Sequence, residues 1–261
     1  MRKHISVFML YTRSSVFRLL ILFVLMAAAE LPMFFFAADR CLNSASVTLE
    51  QMLDNSGMTS MQTSVSLSLE RMFDNSGIAI VLAAVFVLMS IQLCGVGCEF
   101  GSKQGYTLRR LSVSEETVFA WQASFNALAY FVLWGMQLML VLVMCSYGVE
   151  KLGALASNQT VFLAFYRNKF LHSLLPLDEW SRYLRNICMI LALGTASAFF
   201  SYNQRRKKVG LSMIVMLPVT VLGFCGSTGS SGGDACLTLF FIAVTGWCVY
   251  RVYGKEKNDE D

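Results

Sequence analysis

Six long apolar stretches alternate with polar loops along the 261 residues of the chain. Each stretch approaches the roughly 20 apolar residues that a helix needs to cross about 30 Å of hydrocarbon. Because lipid offers the backbone no hydrogen-bond partner, runs of this length are predicted to be helical. The pattern therefore predicts an all-α, polytopic integral membrane protein with six transmembrane helices, at residues 16–38, 77–97, 118–147, 187–202, 209–225 and 235–253.

Basic residues near the ends of these stretches predict the orientation. With a cytoplasmic N-terminus, most of them fall on the inner side, as the positive-inside rule requires. Residues 150–185 are an exception, because this predicted outer segment carries five basic residues; long loops follow the rule weakly. Both termini are therefore predicted to be cytoplasmic. The inner residues are Arg2, Lys3, Arg13, Arg18, Lys103, Arg109, Arg110, Arg205, Arg206, Lys207, Lys208, Lys255 and Lys257.

The spans predict a single transmembrane domain over residues 1–261. Residues 39–76 and 148–186 are predicted to be extracytoplasmic, and residues 98–117 to form a cytoplasmic coupling loop. Residues 1–13 are predicted to lie along the inner surface as an interfacial helix. The basic head and first apolar run also fit a secretory signal peptide, although the run is longer than is typical of one.

The composition agrees with a membrane protein. Hydrophobic residues make up 56% of the chain and charged residues 15%, a balance that disfavours a soluble domain. The net charge of +4 comes from basic residues scattered among the loops, so no nucleic-acid partner is expected.

Polar side chains inside the spans are the first candidates for function. Glu30 lies in the outer half of the first span, and an ionisable group at such depth is costly unless it is functional. The alternative interpretation of Glu30 is that the helix ends early and the side chain reaches the membrane–water interface. Gln122, Asn126 and Gln137 share one stripe of the third span. We expect these amides either to hydrogen-bond neighbouring helices or, with Glu30, to line a translocation pathway.

Small residues on the fourth span predict a close helix contact. Gly194 and Ala198 form a small-xxx-small pair, and Ala192, Ala196 and Ser197 extend the same surface. Such a surface lets another helix approach closely, and a contact with a second subunit is also compatible with it.

The two outer segments contain helical signals. Residues 49–57 are echoed by residues 69–77, and each copy ends in Asn-Ser-Gly, which suits a left-handed helix stop. Residues 161–175 predict an amphipathic interfacial helix, with one aromatic face, that Pro176 ends.

The cysteines predict little chemistry. Cys225 and Cys236 flank the outer loop of residues 226–234, and they either form a disulfide in an oxidising exterior or stay unpaired. Cys94 and Cys98 are one turn apart, but the sequence offers them no further zinc ligands nearby.

The loop between the second and third spans carries a mixture of side chains typical of protein contacts. Tyr106, Leu108, Arg109, Arg110 and Leu111 combine aromatic, aliphatic and guanidinium groups, which are enriched at such interfaces. We expect this loop to contact a partner protein; the alternative is a basic turn that only fixes orientation.

The topology and two segments resemble the type 2 permease class of ATP-binding-cassette (ABC) exporters. Residues 106–114 resemble the segment that docks into the ATPase partner of such permeases. Residues 162–167 and 170–176 resemble the outer region of small bacterial peptide-export permeases. Residues 226–234 depart from the class, because many of its members carry re-entrant helices there and this segment is a flexible tether.

The resemblance implies a permease subunit in the bacterial plasma (inner) membrane that exports a hydrophobic or peptide-like solute. It implies an ABC ATPase partner that holds ATP and Mg, a second permease in a homodimer or heterodimer, and membrane lipid around them. No cofactor and no enzymatic activity are expected in this chain, since a phosphate-binding loop and the common hydrolase motifs are absent. The alternative is a non-transporting membrane scaffold or sensor.

Overall fold

The computed structural model describes residues 2–53, 58–96, 114–152, 158–177, 179–208, 210–225 and 231–259. These ranges contain nine α-helices and no strand, so the described part is all-helical, as predicted. The helices are α1 (Arg2–Leu53), α2 (Met58–Ser76), α3 (Ile78–Gly95), α4 (Glu115–Leu152), α5 (Asn158–Arg167), α6 (Lys169–Leu174), α7 (Trp180–Arg205), α8 (Ser212–Cys225) and α9 (Ser231–Asp259).

Within the described ranges, five helices are long and apolar enough to cross a membrane. They correspond to the first, second, third, fourth and sixth apolar stretches of the sequence. Length and composition therefore support a multi-pass membrane protein. The five segments are Ser15–Leu42, Ile78–Gly95, Glu115–Leu152, Trp180–Arg205 and Gly232–Gly254.

The fifth predicted span, residues 209–225, is not among these five. It corresponds to α8, which has 14 residues and is about 21 Å long at 1.5 Å per residue. It begins at Ser212, later than predicted, because Gly210 and Leu211 are not helical. The described residues therefore contain five membrane-length helices, and the sixth predicted span stays a prediction.

The N-terminal helix differs from the prediction as well. Residues 2–13 belong to α1, which continues without a break through Pro32 to Leu53. The first 13 residues are thus not a separate interfacial helix. Pro32 is tolerated because neighbouring groups in a membrane protein can satisfy the carbonyl that it frees.

The described residues form two compact units. One contains residues 1–22, 85–133 and 180–261, and the other contains residues 23–84 and 134–179. In the first unit, α7 packs along both α8 and α9. Its core is a cluster of buried aromatic and small side chains from α4, α7 and α9: Phe119, Ala123, Ala198, Phe199, Tyr202, Cys248 and Val252.

The small-residue surface predicted on the fourth span is an intramolecular contact in the first unit. A Cβ atom added to Gly194 would lie 2.7 Å from the backbone nitrogen of Ala127 in α4. Only a glycine allows the two helices to approach this closely. At Gly194 the surface is therefore occupied by α4 of the same chain, and a contact with a second subunit stays a prediction.

In the second unit, α2 packs against α5, and α5 against α6. Gly77 has a φ of 68° between α2 and α3, which confirms the predicted left-handed helix stop. The helix predicted over residues 161–175 is two helices, because Asn168 caps α6 by accepting from the backbone N–H groups of Phe170 and Leu171 at 3.0 Å each. Asn168 also donates to Asp74 at 2.8 Å.

Candidate functional site

Gln122 of α4 connects several helices of the first unit through one fully buried side chain. Its Nε2 donates to the carbonyl oxygen of Val96 at 2.9 Å. Its Oε1 accepts from Tyr11 Oη at 3.3 Å and from Arg205 Nη1 at 3.2 Å. The amide therefore joins α1, the end of α3, α4 and the end of α7, and we call these four residues the Gln122 network.

Side chains also satisfy the last carbonyl groups of α3. The carbonyls of a final helical turn have no partner inside the helix, and leaving them unpaired in an apolar medium is costly. Ser201 Oγ lies 3.0 Å from the carbonyl oxygen of Cys94, while Gln122 takes the carbonyl of Val96. Helices α4 and α7 thus hold the end of α3 directly before residues 97–113.

The predicted partner-binding residues fall in that segment. Tyr106, Leu108, Arg109, Arg110 and Leu111 lie outside the described residues, so their contact with a partner stays a prediction. The described chain resumes at Ser114, and Glu115 begins α4. Glu115 Oε2 lies 3.6 Å from Arg206 Nε.

Further along the stripe of α4, two more polar side chains are paired with other helices of the first unit. Asn126 Nδ2 donates to Ser197 Oγ at 2.7 Å. Tyr130 Oη lies 2.7 Å from Ser90 Oγ. Ser90 gives its own proton to the carbonyl of Phe86, so Tyr130 is the donor in that pair.

Glu30 and Gln137 form a pair in the second unit. Gln137 Nε2 donates to Glu30 Oε2 at 2.9 Å, and both side chains are fully buried. The helix does not end early at Glu30 but continues to Leu53, and the carboxyl group of Glu30 is buried within the protein. Oε1 of Glu30 and Oε1 of Gln137 find no hydrogen-bond partner among the described residues. The pair therefore holds two buried acceptor oxygens.

The four residues predicted to line a translocation pathway are thus divided between the two units. Gln122 and Asn126 are in the first unit, and Glu30 and Gln137 are in the second. Every one of the three amides donates to another helix, as expected of amides that hold helices together. A role in a translocation pathway stays a prediction.

A buried ion-pair cluster was missed by the sequence interpretation. Asp234 is fully buried in the first turn of α9. Its Oδ1 lies 2.6 Å from Arg185 Nη1, and its Oδ2 lies 3.2 Å from Arg182 Nε. Asn186 Oδ1 also accepts from Arg185 Nη2 at 3.2 Å. The carboxylate neutralises part of the charge that made residues 150–185 an exception to the orientation rule.

The sequence contains a signal for this cluster. Arg182 and Arg185 are three residues apart at the start of a span, so they share one helix face. Asp234 was predicted to lie in a flexible tether, but residues 231–234 are helical. An acid there is favoured by the dipole of α9.

Metal and disulfide chemistry have little support in the described part of the chain. No group of three His, Cys, Asp or Glu side chains there could hold a metal ion. Cys236 is a free, exposed thiol, and the side chain of Cys225, its predicted alternative partner, lies outside the described part. Cys98, the predicted neighbour of Cys94, is outside the described ranges.

Comparisons with protein families, with curated proteins and with solved structures find no match to this chain. Its class therefore follows from the helices alone. Their number, length and apolar composition are those of a multi-pass helical membrane protein.

Proposed function

We propose that the chain is the membrane-spanning permease subunit of an ABC-type exporter. It would move a hydrophobic or peptide-like solute outward, with ATP and Mg held and hydrolysed by a separate subunit. The observation that carries the proposal is the Gln122 network, because it ties both α1 and α7 to the residue at which segment 97–113 leaves α3.

The coupling step follows from the two ends of that segment. At one end, Val96 is bound to Gln122 and through it to Arg205. At the other end, Glu115 pairs with Arg206. A partner that closes on ATP and displaces residues 97–113 would pull on the C-terminal end of α7 through both ends of that segment. Repacking of rigid helices in this manner is a common form of switching.

The solute side of the proposal uses Glu30 and Gln137. A peptide carries backbone N–H donors, and the two covered Oε1 atoms are acceptors without a partner among the described residues. Opening of the second unit would expose these acceptors together with the negative charge of Glu30. A polar contact of this kind orients a solute that otherwise binds by apolar surface.

The proposal retains six spans, with α8 as the short fifth span. A helix shorter than the hydrocarbon is accommodated by local thinning of the bilayer. Both termini would then be cytoplasmic, in the bacterial plasma membrane. Two such chains, or this chain and a related permease, would pair with two ATPase subunits.

The test is ATP-coupled export by purified complexes of the full chain and its ATPase in proteoliposomes. Gln122→Leu removes the network but leaves α4 apolar. We expect this variant to keep the ATPase bound and to hydrolyse more ATP per molecule of solute exported. Ser124→Ala is the matched control, since Ser124 is exposed on the same helix and bonds only to Ala120 of that helix. Equal coupling in both variants would contradict the proposed route.

A scaffold or sensor is the second candidate function. It is favoured by the observation that each amide of the α4 stripe already has a partner on another helix. A scaffold would bind its partner and show no ATP-dependent flux of solute. The proteoliposome experiment therefore separates the two functions.

A further inference from the structure

A basic and aromatic cavity of about 240 Å³ lies in the first unit where α7 ends. Its walls come from the last turn of α7, the turn that follows it and the C-terminal half of α9. The residues that matter for its chemistry are Tyr202, Arg206, Lys208, Trp247 and Arg251. None of the described residues that line the cavity is acidic. Glu115 lies 3.6 Å from Arg206, but the three cations Arg206, Lys208 and Arg251 outnumber this carboxylate, so the net charge around the cavity is positive.

Aromatic rings hold the two guanidinium groups. Arg206 Cζ lies 4.6 Å from the centre of the Tyr202 ring, and Arg251 Cζ lies 5.7 Å from the centre of the Trp247 ring. Stacking uses the flat face of a guanidinium and leaves the N–H groups at its edge for an anion. Arg206 keeps its two Nη groups for this purpose, because the contact with Glu115 Oε2, at 3.6 Å, is made by its Nε. Two such edges around one cavity match the oxygen atoms of a phosphate group, which arginine binds in a bidentate manner.

A backbone turn presents the cations. Lys208 N donates to the carbonyl of Asn203 at 2.9 Å, and Lys207 N donates to that of Gln204 at 3.0 Å. Lys207 has a φ of 56°, so α7 ends in a Schellman motif with lysine at the left-handed position. This turn ends a membrane-length helix and places Arg206 and Lys208 beside the cavity.

One side of the cavity is apolar, and such a wall contributes nothing to the binding of a soluble anion. Trp247 is 48% exposed and Leu211 is 64% exposed, and both line it. Tryptophan and tyrosine are enriched where a helix crosses the membrane–water interface. An amphiphile can place its phosphate on the arginines and its acyl chains along these exposed side chains.

We propose that this cavity binds the phosphate headgroup of an anionic phospholipid. The basic loop of residues 203–208 is predicted to face the cytoplasm, where the leaflet is rich in anionic lipid. Basic pockets between transmembrane helices on that side bind such headgroups. The shared chemistry is a phosphate ester, and the apolar wall selects the lipid over free phosphate. This inference does not depend on the proposed transport function.

The test measures binding of fluorescent phosphatidylglycerol to the full chain in neutral detergent micelles. We expect Arg206→Gln and Arg251→Gln each to weaken binding about fivefold, and the double variant about 25-fold, since each basic residue near the lipid contributes independently. Lys207→Asn is the matched control. Lys207 is exposed in the same turn and does not line the cavity, and asparagine tolerates its positive φ.

Three further results decide the inference. Phosphatidylcholine should bind more weakly than phosphatidylglycerol, and inorganic phosphate should not compete at matched ionic strength. Competition by inorganic phosphate would overturn the lipid assignment in favour of a soluble phosphate ester. An equal loss in Lys207→Asn and in the arginine variants would overturn the site, because only diffuse charge would be acting. Size-exclusion chromatography of each variant identifies a loss of binding that comes from misfolding.

Discussion

Gln137 donates a hydrogen bond of 2.9 Å to Glu30, and neither side chain is exposed. Burying a carboxyl group among the helices of a membrane protein is costly. The pairing offsets part of this cost and leaves one acceptor oxygen on each residue without a partner among the described side chains. In the proposed exporter, those two oxygens would meet the solute.

Glu30→Gln tests this role with little change of shape. The new amide retains an acceptor for Gln137, so we expect the free energy of unfolding to change by less than about 1 kcal/mol. We expect export to fall about tenfold, because one charged hydrogen bond to the solute is lost. Initial export rates and thermal unfolding in detergent measure the two effects. Asp39→Asn changes an exposed acid of the same helix and should leave export unaltered; equal loss in both variants would rule out a specific role.

Gly194→Ala tests the close contact between α7 and α4. The added methyl group would overlap the backbone of Ala127, which cannot move aside as a side chain can. We expect a loss of about 1–3 kcal/mol in the free energy of unfolding. Gly246→Ala in α9 is the control, because a Cβ there meets nothing within 4 Å, and alanine favours a helix by up to about 1 kcal/mol. Denaturant titration of both variants should therefore give shifts of opposite sign.

Asp234→Asn tests the buried ion pairs. It would leave the guanidinium group of Arg185 buried without a carboxylate, and we expect a loss of about 3–5 kcal/mol. Glu115→Gln breaks the exposed pair with Arg206 and should cost about 1 kcal/mol or less. Thermal unfolding in detergent compares the two. Similar melting temperatures for both variants would show that Asp234 does not anchor α7 to α9.

Lys207→Gly tests the turn after α7. Glycine adopts the left-handed conformation without the steric cost that a lysine side chain incurs. We expect unfolding to require about 0.5–1 kcal/mol more free energy. Lys207→Val should lower stability instead, since a β-branched residue is a genuine outlier at positive φ. A gain in both variants would indicate that removal of charge, and not backbone geometry, controls stability there.

Five of the spans could be predicted because hydrocarbon thickness constrains each helix separately. The runs that became α3, α4 and α9 are visible in the sequence without knowledge of any neighbour. The start of α8 was misjudged because Gly210 and Leu211 are small or apolar, yet they are not helical and α8 begins at Ser212. The sequence gives no signal for the end of α7, because the left-handed position after a helix is usually glycine and here it is lysine.

The partners of the polar residues could not be predicted in the same way. The spacing of Gln122, Asn126 and Gln137 gives their common face on α4, but helix packing decides what that face meets. Val96 offers only a backbone carbonyl, which leaves no trace in the side-chain pattern. The pair of Glu30 and Gln137 joins residues 107 positions apart, a separation that one sequence alone does not reveal.

The most direct test of the account is ATP hydrolysis by the chain purified from its native membrane through an affinity tag. We predict vanadate-sensitive ATP hydrolysis that co-elutes with the wild-type chain. A variant with Arg109→Glu and Arg110→Glu should lose this activity, because the reversed charges prevent docking of the ATPase. A wild-type chain that elutes intact without any ATP-hydrolysing subunit would contradict the proposed exporter.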